Sequence, residues 1–233
     1  MIRKRFISAC FVLAICVFDL RSSANPVALE GQLPAPYQAY QMDDLSVSPD
    51  GRLAVIVPRE VVALPDIPIN YLVFRDPFRV LCQLPTTANF PDPVHRGGLV
   101  VNWAKDSSAA VMYVVLKWAP DKIYVVSLPK GHPPRVTDLD SEIRKLLQPD
   151  FARAQVPGFN ETFDYIFDSE LEGPSCWHIN DANQVVIDCL ATTDPKNIPP
   201  AAHWTAHFQG RWDIASRMFI SHRITSKVSQ DNE

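Results

Sequence analysis

Beyond residue 24 no apolar run reaches the roughly 20 residues that a membrane-spanning helix requires, so the remainder of the chain is expected to be soluble. The G-x-S-x-G elbow, the phosphate-binding loop, the dinucleotide fingerprint and H-E-x-x-H are all missing. With them go the usual signatures of serine hydrolases, nucleotidases, dehydrogenases and zinc proteases. There is no C-x-x-C pair, and a thiol in an oxidising compartment is drawn to disulfides rather than zinc. No metal and no cofactor is expected. Clustered Lys and Arg are also lacking, which argues against binding to a phosphate backbone or to an anionic lipid surface.

The N-terminus reads as an export signal. Arg3, Lys4 and Arg5 form a basic start, Phe6 to Phe18 form a 13-residue apolar core broken by Ser8, and Ser22-Ser23-Ala24 supplies small residues. Cleavage after Ala24 follows from that order, leaving an exported protein, secreted or periplasmic. The whole chain carries 22 Lys+Arg against 26 Asp+Glu. Without residues 1–24 the count is 18 against 25, a formal charge of −7. Residues 25–233 suit one domain with a sizeable core. Three cysteines remain after cleavage, Cys82, Cys176 and Cys189, and an odd count suggests one bridge and one leftover thiol. Cys176 and Cys189 frame a hairpin, and pairing 177 with 188 would bring them opposite each other. That register predicts a Cys176–Cys189 disulfide, with Cys82 a free buried thiol.

One turn occurs three times, each time before an apolar run. It reads Ser48-Pro49-Asp50-Gly51-Arg52, then Ala104-Lys105-Asp106-Ser107-Ser108, then Ile179-Asn180-Asp181-Ala182-Asn183. Around each turn four short β-branched and aromatic segments follow in the same order, bounded by Gly, Pro, Asn and Asp. The units span about 42–84, 99–139 and 175–219. In the third, a turn at Gln209-Gly210-Arg211 is expected to separate the last two strands, and the tail after Thr225 reads as frayed. The recurring Asp or Asn closes its turn by accepting backbone N–H bonds. A calcium loop would need several oxygen ligands at alternating positions, and these turns do not supply them.

Four antiparallel strands per repeated unit is the organisation of a propeller blade. The Ser-Pro-Asp-Gly-Arg element with its apolar strand at 48–57 resembles the repeat of TolB/WD40-like propellers, with weaker copies near 106 and 181. The resemblance implies an all-β fold of three blade-like four-stranded antiparallel units, an incomplete propeller, and a frequent role in protein–protein contact. It carries over no catalytic residue. Three units leave a ring unfinished, so unit edges must be covered by loops, by the insertion, or by a second copy of the chain in a homodimer.

Residues 140–174 interrupt the pattern. Leu139, Ile143, Leu146 and Leu147 share one helical face, so a helix is predicted near 140–148, with Asp140 as its cap and Pro149 at its end. After it Phe163, Tyr165 and Phe167 alternate with Asp164, Ile166 and Asp168, a half-buried strand with an acidic, aromatic face suited to recognition.

Candidate chemistry is thin. His203 and His207 are four apart, a spacing that could share a metal, but a third ligand is not near them in the sequence. Asp43, Asp44, Asp164 and Asp168 could pair as carboxylates for glycoside cleavage; a solvated acidic surface explains them more simply. Trp103, Trp118, Trp177, Trp204 and Trp212 fall at related places and read as core. Catalytic residues are thus unassigned. Two function classes remain: a non-enzymatic exported module that binds another protein or itself, or a hydrolase acting on glycan or peptide in a cleft between sheets. The missing nucleophile motif favours the first.

Overall fold

The computed structural model describes residues 33–59, 69–87, 98–115, 120–156, 164–166, 177–193 and 203–229. The predicted signal segment and its cleavage site lie outside them. The strands gather into three antiparallel sheets taken in chain order. The first sheet holds β1 (Tyr40–Asp43), β2 (Leu53–Pro58), β3 (Ile69–Phe74) and β4 (Arg79–Thr87). The second holds β5 (Gly98–Trp103), β6 (Ala109–Val115), β7 (Pro120–Ser127) and β8 (Arg135–Asp138). A single helix among the described residues, α1 (Leu139–Ala154), follows. Then come β9 (Asp164–Ile166), β10 (Trp177–Ile179), β11 (Gln184–Thr192), β12 (His203–Asp213) and β13 (Met218–Ser229). The order β10-β11-β12-β13 forms the third sheet, and β9 pairs with β11 beside that path. The fold is all-β with three blade-like units, and among the described residues no barrel closes.

The repeated turns explain why each unit starts alike. In the first, Ser48 N–H donates to Leu53 O at 3.0 Å and Gly51 N–H to Ser48 O at 2.8 Å. In the second, Ala104 N–H donates to Ala109 O at 2.8 Å and Ser107 N–H to Ala104 O at 2.9 Å. Gly51, Ser107 and Asn183 take φ of 73°, 61° and 60° at equivalent corners, a conformation that glycine and asparagine adopt most cheaply. The third turn is one residue shorter, because Asn180 N–H closes on Gln184 O. Its side-chain cap is Asn180, whose Oδ1 accepts from Ala182 and Gln184 N–H at 3.0 Å each, rather than Asp181. The register follows from that length. Trp177 faces Ile187 and not residue 188; Cys176 itself lies outside the described residues.

The three sheets stack through two cores. Ala110, Met112 and Val114 of β6 pack with Val55, Leu72 and Leu84 of the first sheet. The alternate residues Ala109, Val111 and Tyr113 pack with Trp177, Val185, Ile187 and Trp204 of the third sheet and with Leu139, Ile143 and Leu147 of α1. Because β6 is buried on both faces, its sequence is an unbroken apolar run rather than an alternation. Adjacent residues of β5 tie it to both neighbours: Trp103 Nε1 donates to Ser46 O at 2.9 Å, and Asn102 Nδ2 to Trp177 O at 2.7 Å.

The two ends of the stack differ. On the outer face of the first sheet Ile56 and Val73 are covered by Leu33, Tyr37 and Tyr40, which pack with Tyr71 and Phe78. The outer face of the third sheet is polar. A terminal unit with a polar outer face ends an array without exposing its core.

Three expectations are corrected. Gln209-Gly210-Arg211 is not a turn: β12 runs straight through it, the turn comes at 214–217, and β13 extends to Ser229. Gly210 lies in the strand because the aromatic rings need its side-chain space. A Cβ there would stand 2.8 Å from Phe208 Cε1 and 3.0 Å from Phe219 Cε1. The helix is capped two residues earlier than expected, by Asp138 rather than Asp140, with Asp138 accepting from Ser141 N–H at 2.9 Å. It also continues past Pro149 to Ala154. Proline costs a helical hydrogen bond, but the last turn is docked. Trp204 Nε1 donates to Asp150 at 3.2 Å, and Phe151 packs on the Trp204 ring at 5.5 Å.

Candidate functional site on the outer face of the third sheet

Strand β12 alternates without a break. Trp204, Ala206, Phe208, Gly210 and Trp212 are buried, while His203, Thr205, His207, Gln209, Arg211 and Asp213 look outward. On β11 the same alternation sends Val185, Ile187 and Cys189 inward and leaves Val186, Asp188 and Leu190 on the outer face. The ladder sets Asp188 opposite Gln209 and Leu190 opposite His207, which makes Asp188 and His207 diagonal neighbours. Asp188 Oδ1 contacts His207 Nε2, and Asp188 Oδ2 accepts from Gln209 Nε2 at 2.9 Å. Both carboxylate oxygens are therefore engaged, and the imidazole is oriented by a charge.

On β13 the outward positions facing β12 are Ser221, Arg223, Thr225 and Lys227, opposite Arg211, Gln209, His207 and Thr205. A shallow depression of about 280 Å³ lies among Val186, Asp188, Gln209, Arg211, Ser221 and Arg223. The stretch 203–229 holds four Lys or Arg and one Asp, in a chain whose overall count favours acid. That one acid, Asp213, is committed to its turn, accepting from the Ser216 hydroxyl at 2.6 Å and the Ser216 N–H at 2.7 Å. Those bonds hold its carboxyl below the usual range. A basic face has thus been assembled across two strands, where no basic cluster exists in the sequence.

A larger depression of about 430 Å³ sits between the β3–β4 hairpin and the connection from β7 to β8, among Phe74, Arg79, Leu81, Leu128, His132 and Pro134. The Arg79 guanidinium lies 4.8 Å over the Phe74 ring. The described residues lining it include no carboxylate, so it does not offer the acid pair that glycoside cleavage needs.

The residues singled out from sequence are dispersed. Asp43 ends β1 and caps the following turn, accepting from Leu45 N–H at 2.9 Å; burial raises its pKa, with that bond opposing the rise. Asp44 opens the 3-10 turn at Asp44–Ser46. Asp164 and Tyr165 lie in β9, facing Thr192 and Ala191 of β11. Phe163, Phe167, Asp168, Trp118 and Cys176 lie outside the described residues. His203 and His207 do share a face of β12, and among the described residues no group of three metal-ligating side chains forms. Cys189 is buried on the inner face of β11, and Cys82 is a half-buried thiol whose pKa burial pushes up to about 11. Sequence reading missed the Asp188–His207–Gln209 unit. The alternation of β12 displays that outer face once Gly210 is read as a strand residue.

No family model, no characterised protein and no solved structure matches the chain.

Proposed function

We propose that this chain is a non-enzymatic interaction module, exported after cleavage at Ala24 and built as an unclosed array of TolB/WD40-like units. The observation that carries this reading is β13. It spans 12 residues, pairs with β12 along one edge, and among the described residues has no strand on its other edge. Three of its apolar side chains stand in solvent: Met218 at 64%, Ile220 at 52% and Val228 at 47% exposure. A long open edge with exposed apolar residues is a template for another chain. Self-association through a second copy is one form of the same reading. A photo-crosslinking residue at Thr225, compared with one at the exposed helix position Ala152, tests it in cells expressing the chain. A discrete protein adduct from 225 alone is expected; equal yields at both positions, or no adduct, would refute the module.

A hydrolase is the second reading, favoured by one observation: a carboxylate-oriented imidazole, Asp188–His207, beside a depression. Asp188 engages Nε2, so Nδ1 is the ring nitrogen left to serve as a base, the reverse of the usual triad arrangement. Turnover of a glycan or peptide ester that disappears in His207→Ala while the fold persists would establish it.

A further inference from the structure

The open edge of β13 carries a chemical pattern. Beyond the bulge at Ile220 the strand alternates cleanly, with Ser221, Arg223, Thr225 and Lys227 on the outer face and His222, Ile224, Ser226 and Val228 on the other. Two cations therefore stand four residues apart on one face, and two aliphatic residues stand four apart on the opposite face. Among the described residues neither Arg223 nor Lys227 makes an ion pair. The acid within reach, Asp188, is already occupied by His207 and Gln209.

We propose that the β13 edge takes up, as an added strand, an extended acidic segment of a partner protein. The segment carries carboxylates four residues apart on one face, to meet Arg223 and Lys227, and apolar residues on the other face, beside Ile224 and Val228. Backbone N–H and C=O groups of the edge supply register-independent affinity, and the side-chain pattern supplies selectivity. Charge decides between this occupant and a second β13. Two copies of β13 would bring both sets of cations into one ladder, where like charges repel; an acidic strand converts the same cations into favourable cross-strand pairs. The basic hairpin also draws such a segment in an otherwise acidic molecule.

This inference rests on the interaction-module reading. Its test uses the full mature chain and a labelled peptide, Thr-Val-Glu-Thr-Thr-Val-Glu-Thr, against a control with both Glu replaced by Lys. Anisotropy at low salt should show binding of the acidic peptide and not of the control. The double variant Arg223→Glu/Lys227→Glu, on exposed side chains remote from the core, should weaken the acidic peptide at least tenfold and gain the control. Hydrogen exchange should slow at β13 amides on binding, which a merely electrostatic contact would not produce. Equal affinity of wild type and double variant for the acidic peptide, or no exchange protection in β13, overturns the inference. So does a doubling of mass in light scattering that depends on β13, since it would assign the edge to a second copy. A crosslink from position 225 in cells with no peptide binding overturns the acidic strand and leaves the module standing; loss of both overturns both.

Discussion

Asp50 shows how one side chain sets a turn and then reports on pH. Its Oδ1 accepts from the Ser48 hydroxyl at 2.7 Å and from Arg52 N–H at 3.1 Å, while Oδ2 meets the Arg52 guanidinium at 2.7 Å. Burial pushes the carboxyl up, but the bonds from Ser48 and Arg52 outweigh it and hold its pKa at about 2, below the ordinary 3.8. A lowered folded value means that the stabilisation is complete above about pH 4 and is lost as pH falls through about 2. Asp50→Asn should therefore cost roughly 1 kcal/mol near neutrality, and urea melts should show the gap to wild type closing between pH 4 and 2. Gly210 makes a second case at this scale. An added methyl would collide with Phe208 and Phe219, and Phe208 is fully buried. Gly210→Ala is expected to destabilise by about 1–3 kcal/mol, the usual cost of overpacking a close-packed site, read as a lower denaturation midpoint with an unchanged slope. The Asp-Gly pair at 50–51 was legible as a turn from sequence. Gly210 was not, because a glycine that admits a ring and a glycine that reverses the chain look alike until the ring is placed.

At the scale of elements, α1 illustrates what periodicity shows and what it leaves open. Leu139, Ile143 and Leu147 are buried on one face as their spacing requires. The cap is Asp138, whose two oxygens take the Ser141 N–H and hydroxyl at 2.9 and 2.8 Å. Asp138→Ala should cost about 1 kcal/mol, measured by thermal or chemical denaturation, while Asp140→Ala should cost less, since Asp140 bonds only the Arg144 side chain in the described contacts. The end of the helix was illegible because Pro149 is a local stop signal, and what overrides it is tertiary: Asp150 and Phe151 grip Trp204, and Ser226 donates to Asp150, lowering its pKa. The third hairpin follows the same logic in reverse. A turn one residue shorter than expected moves every cross-strand partner by one, which is why Trp177 meets Ile187 and not residue 188.

For the whole molecule the central problem is an array with two ends. The first sheet ends it with an aromatic lid, in which the Tyr37 ring lies 5.6 Å from Tyr71 and 5.7 Å from Phe78 in tilted or edge-on contact. Tyr37→Ala should uncover the Ile56 and Val73 face, lower stability by about 2–3 kcal/mol and raise the fluorescence of a hydrophobic dye; an unchanged melt and dye signal would show that the lid is dispensable. At the other end the polar outer face of β11 and β12 needs no cover, and among the described residues the β13 edge carries no further strand, which is why the proposed contact is placed there.

What the sequence determined by itself is local and periodic. Short alternating or continuous apolar runs between Asp, Asn, Gly and Pro dictate strands and turns, because backbone preferences and side-chain period act over a few residues. Three units and one helix follow from that alone. Only the tertiary structure decided which side of each strand meets a partner sheet, that Asp188 would find His207 from 19 residues away, and that Arg211, Arg223 and Lys227 would gather on one face. Those groupings depend on register, and register is settled by loop lengths and by which faces can be buried together, neither of which any short window of sequence contains.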